Sequence, residues 1–147
     1  MIKEDYVSFE TSKLLKEKGF DEKCHRYWQY DKANDKDDVD GIWLRCCDDV
    51  FELNNSELDT LFEESLLNFG YSAPTLQMVM KWLREVHDLH IIAYPWKADR
   101  EERATHWCCR VYKSFNLLGY EKYTNETPKS YEEACEIAIK YCLEKLI

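Results

Sequence analysis

The densest group of side chains able to do chemistry runs Arg84, Glu85, His87, Asp88, His90. Two imidazoles that titrate near neutral pH can take up and release protons, a neighbouring carboxylate can orient them, and a guanidinium can hold an anion. The spacing narrows that chemistry. His87 and His90 are separated by two residues, not by the three of a His-Glu-x-x-His zinc helix, and the helix is expected to end between them. A histidine at the negative end of a helix also has a purely structural use, since the helix dipole favours positive charge there.

Cysteines are the next candidates. The seven are Cys24, Cys46, Cys47, Cys108, Cys109, Cys135 and Cys142, an odd number with two adjacent pairs. Zinc ligands usually come as Cys-x2-4-Cys, so that a turn brings both sulfurs to one metal, whereas neighbours on a strand point to opposite faces. The expectation is one buried and one outward thiol in each pair, no disulfide framework, and a reducing cytoplasmic setting. Asp38, Asp40 and Gly41 fit positions three, five and six of a calcium loop, but Lys36 stands at the first position and Cys47 at the twelfth, where a bidentate Glu is needed. No metal site and no cofactor is expected.

Other function classes are excluded more simply. Only four glycines occur, and no phosphate-cradling loop, Gly-x-Ser-x-Gly elbow or dinucleotide fingerprint is present. No apolar run approaches the roughly 20 residues of a membrane span, and the polar start, Met-Ile-Lys-Glu-Asp-Tyr, is unlike a signal peptide. The later elements share their order with double-stranded RNA-binding domains. The final helix, however, opens with Glu132 and Glu133 beside a single Lys129, where such domains place cations for phosphate. Neither a nucleic-acid nor a membrane partner is expected.

The formal charge of −9 is local. Between Asp31 and Glu64 lie twelve acidic and three basic residues, and the rest of the chain is balanced at 17 against 17. Trp28, Tyr30 and Trp43 flank the most acidic part, which holds Asp35, Asp37, Asp38 and Asp40. Such a stretch can be a solvated, solubilising face, or it can steer a basic protein partner onto an aromatic surface.

These groups must be positioned by elements legible in the sequence. Phe9 to Lys18 reads as a helix with Ser8 as N-cap and Gly19 just past its end. Cys24 to Tyr30 and Ile42 to Cys47 read as a hairpin across the acidic loop. Leu58, Leu61, Phe62, Ser65, Leu66 and Phe69 share a face at helical spacing, which predicts a helix ended by Gly70. Pro74 opens the clearest helix, striped by Leu76, Val79, Met80, Leu83 and Val86. Leu89 to Trp96 and Thr105 to Lys113 form a second hairpin around the charged turn Lys97 to Arg103, and a short strand is expected near Tyr120 to Tyr123. Ser130 and Glu133 form a capping box for a last helix lined by Tyr131, Cys135, Ala138, Cys142 and Leu146. A shift of 68 residues pairs Leu15 with Leu83, Lys16 with Arg84, Glu17 with Glu85 and Trp28 with Trp96.

Three blocks, Phe9 to Cys24, Ser72 to Ile91 and Tyr131 to Ile147, together about a third of the chain, resemble a family of small uncharacterised proteins from genomes, prophages and phages of gut Bacteroidetes. The middle block, from Ala73-Pro74-Thr75 to Trp82-Leu83-Arg84-Glu85-Val86-His87, is the most specific. The resemblance implies a bacterial or phage cytoplasmic protein, and it carries over no activity, cofactor or catalytic residue.

The expected fold is α+β, antiparallel hairpins with helices packed on one face, as a single domain over 1–147 or as two similar helix-hairpin-helix halves divided at 70 and 71. The leading functional expectation is a non-enzymatic interaction protein that uses Asp35, Asp37, Asp38, Asp40, Trp28 and Trp43 against a basic partner. The competing expectations are an enzyme of unrecognised class built on Arg84, Glu85, His87 and His90, and an acidic mimic of nucleic acid.

Overall fold

The computed structural model describes residues 3–31, 41–47, 51–65, 68–96, 106–114, 116–117 and 127–147. The fold is α+β with antiparallel sheets, and the chain divides into two compact units, Tyr6–Pro74 and Met1–Asp5 with Thr75–Ile147. The expected charged turn and the strand near 120–123 fall outside the described residues.

The Tyr6–Pro74 unit runs α1 (Phe9–Glu17), β1 (Arg26–Asp31), β2 (Ile42–Cys46), α2 (Asn55–Phe62) and β3 (Asn68–Ser72). Ser8 caps α1 by accepting from the Thr11 N–H at 3.2 Å. At its other end Gly19, with φ +84°, lets its own N–H reach the Lys16 carbonyl and the Phe20 N–H reach that of Leu15. This is a Schellman end, and the Leu15 and Phe20 side chains that close it are fully buried. The sheet order is β2-β1-β3, with Trp28 opposite both Leu44 and Tyr71. Phe9 of α1 meets the rings of Trp28, Tyr30 and Tyr71 on one side of the sheet. Phe62 of α2 meets Tyr27, whose side chain alternates to the other side.

The helix expected from Ser56 to Phe69 is redrawn by the structure. It starts a residue earlier and stops at Phe62, and Asn68 to Ser72 pairs with β1 as a strand. Its true start is a capping box at Asn54 and Glu57, an Asn-x-x-Glu signal that the hydrophobic spacing alone does not show. Gly70 sits in β3, where it lets α2 approach closely. A Cβ there would stand 2.6 and 2.8 Å from two ring carbons of Phe62 and 3.2 Å from the Leu58 Cβ.

One buried side chain joins these pieces. Asn55, 4% exposed, donates from Nδ2 to the Phe20 carbonyl at 2.6 Å and accepts at Oδ1 from the Ser72 N–H at 2.9 Å. The amide orientation follows from the partners, because a carbonyl only accepts and an N–H only donates.

The second unit runs α3 (Leu76–His87), β4 (Leu89–Trp96), β5 (His106–Lys113), β6 (Asn116–Leu117) and α4 (Tyr131–Tyr141), which widens into a π-type turn over Cys142–Leu146. Thr75 caps α3, so Pro74 precedes the cap instead of occupying the first turn. Ser130 caps α4, and Glu133 returns to the Lys129 N–H at 2.7 Å, one residue before the expected capping-box partner. The sheet order is β4-β5-β6. α4 packs on β4 and β5, and α3 packs on β4 and α4. Leu89, Cys109 and Val111 are buried, and Trp107 meets Tyr131 of α4 edge to face. Both units therefore read helix, hairpin, helix. They differ in the third strand, which joins the first hairpin strand in one unit and the second in the other.

Removing the Asn55 amide strands a buried carbonyl and a buried N–H, so Asn55→Ala is expected to lower stability by about 2–4 kcal/mol. Gly70→Ala, which crowds Leu58 and Phe62, is expected to cost about 1–3 kcal/mol. Urea unfolding measures both, and wild-type stability in either variant would contradict the packing described.

Candidate functional site

The junction between α3 and β4 gathers the residues singled out for their chemistry. α3 ends at His87 because Asp88 turns left-handed, with φ 56° and ψ 32°, and Leu89 begins the next strand fully buried. Asp and Asn are among the few non-glycine residues that tolerate this conformation. The turn aims the Asp88 carboxylate at two partners. His90 Nε2 lies 3.2 Å from Oδ1, and the Ser114 hydroxyl donates to Oδ2 at 2.6 Å. Ser114, just beyond β5, also has a positive φ of 48°. These two bonds hold the Asp88 carboxyl below the usual carboxylate range, Ser114 first and His90 second.

This arrangement resembles a Ser-His-Asp set in composition and differs from one in order. A nucleophilic serine needs the imidazole between itself and the carboxylate, so that the ring can take its proton. Here the carboxylate stands in the middle and the Ser114 proton is already directed at it. A carboxyl held below its usual range is also a poor base. The geometry makes a polar clasp between the start of β4 and the end of β5.

The remaining members of the cluster diverge. Arg84 and Glu85 lie exposed on α3, with Glu85 3.9 Å from Lys81, one turn earlier. No hydrogen bond or ion pair among the described residues joins either one to His87 or His90. His87 instead turns its ring against Trp82 at 4.6 Å, and its buried Nε2 has no hydrogen-bond partner among the described residues. Burial and then the nearby Lys113 push the His87 pKa down. Ser114 and the hydroxyl-carboxylate bond were not signalled by the sequence. They depend on β4–β5 register, which sets Leu89 opposite Lys113 and so brings Asp88 beside Ser114.

The candidate partner-binding residues are divided as well. Asp35, Asp37, Asp38 and Asp40, together with the calcium-loop positions Lys36, Asp38 and Asp40, lie outside the described residues. Trp28 donates its indole N–H to the Val7 carbonyl at 3.0 Å, so that group is committed inside the unit. Trp43 pairs with Gln29, not with Trp28, and alternation puts the two indoles on opposite sides of the sheet. The Arg45 guanidinium lies 5.7 Å from the Trp43 ring centre. Several described carboxylates of the acidic stretch are also paired: Glu52 with His25 at 2.8 Å, Glu57 with Lys23 at 3.1 Å, and Asp59 with Lys16.

All seven thiols are free, and the adjacent pairs split as strand geometry requires. Cys46 is exposed beside buried Cys47, and half-buried Cys108 precedes buried Cys109. Burial pushes the thiol pKa of Cys24 and of Cys142 up to about 12 and that of Cys109 up to about 11, which keeps these sulfurs protonated and unreactive. No group of three or more His, Cys, Asp or Glu is placed to hold a metal among the described residues.

A lowered imidazole pKa has a definite sign in stability. As pH falls below the ordinary value near 6.5, the unfolded chain takes up a proton that folded His87 still refuses, so stability drops between about pH 6.5 and the lower folded value. His87→Gln is expected to shrink this acid-side loss, read as the shift of the urea midpoint between pH 7.5 and pH 5.5. An unchanged shift would show that His87 does not carry it. No protein-family model matches the chain, nor does any curated protein or solved structure.

Proposed function

We propose that the chain is a small, non-enzymatic protein-binding protein that meets a basic partner through its acidic segment. The observation that carries this reading is the segregation of charge between the two units. Tyr6–Pro74 holds 16 acidic against 8 basic residues, a formal −8, while Met1–Asp5 with Thr75–Ile147 holds 13 against 12, a formal −1. A one-sided field of this kind steers oppositely charged proteins and speeds their encounter.

Within the acidic unit, Glu57 and Asp59 are paired locally with Lys23 and Lys16, and Glu52 lies 2.8 Å from His25. The segment that links β1 to β2 carries Asp35, Asp37, Asp38 and Asp40 against Lys32 and Lys36, a local excess of acid within that unit. The hairpin base is set where Asp31 donates its N–H to the Gly41 carbonyl at 2.8 Å. The order of Ser114, Asp88 and His90 also supports a binding role over an enzymatic one. The proposal includes a reducing cytoplasm, which free, protonated thiols suit, and a bacterial or phage origin, as the resemblance of the three sequence blocks implies. No described helix is long and apolar enough to cross a membrane.

The test compares the wild-type chain with a variant in which Asp35, Asp37, Asp38 and Asp40 are all changed to Asn. A bacterial lysate is passed over each at low salt. The reading expects a basic protein that the wild type retains, that salt of about 0.5 M releases, and that the variant fails to hold. If neutralisation removes no retained protein, the acidic segment is not a docking site.

A further inference from the structure

We draw no further inference here: the strongest candidate, the side-chain cluster at the α3–β4 junction where the half-buried His87 ring packs on Trp82, belongs to the site already described and rests for any switch on its lowered pKa alone.

Discussion

A buried amide governs the Tyr6–Pro74 unit. Three chain segments end close together there: the turn that closes α1, the first residue of α2 and the last residue of β3. Each carries backbone groups that leave water on folding, and an unpaired buried N–H or carbonyl costs about 1–3 kcal/mol. Asn55 serves two of them at once, the Phe20 carbonyl and the Ser72 N–H. A hydroxyl is too short and a carboxylate cannot donate, which leaves an amide as the side chain that fits. With that point fixed, α2 must lie along β3, and Gly70 is the residue that lets it do so without a clash.

The other unit solves a related problem at its surface. The chain must reverse from α3 into β4 within one residue, and Asp88 does this by adopting a left-handed conformation while its carboxylate ties His90 to Ser114. The same bonds that anchor the turn occupy both oxygens of the Asp88 carboxylate. Chemistry that looks concentrated in the sequence is thus divided between a clasp, an exposed helix side and an imidazole packed on Trp82.

Much of the architecture was legible because it rests on local signals. Ser8 with Gly19, the stripe from Leu76 to Leu83, and Ser130 with Glu133 mark helices by caps and period, and both are properties of adjacent residues. The splitting of Cys46-Cys47 and Cys108-Cys109 follows from strand alternation alone. The failure at Leu58 to Phe69 has the same origin: Leu58, Leu61 and Phe62 keep helical spacing, and Phe69 happens to continue it. What ended the helix was β1, whose free edge pairs with Asn68 to Ser72 across nearly forty residues of chain. The Asn54 capping box was readable and simply lay one step before the first apolar residue.

By itself, the sequence determined the α+β class, the Ser8 and Ser130 caps, the inward and outward sense of the cysteines and the placement of charge in one stretch of the chain. All of these follow from neighbours along the backbone or from counting. Only the tertiary structure decided which polar groups meet. Asp88 reaches Ser114, and Asn55 reaches Phe20 and Ser72, because strand register and helix docking bring distant segments within hydrogen-bond length. It also decided that Trp28 turns inward to Val7 while Trp96, its counterpart under the 68-residue shift, stays exposed. Strand alternation gives two sides to every strand. Which side is covered depends on where the helices pack.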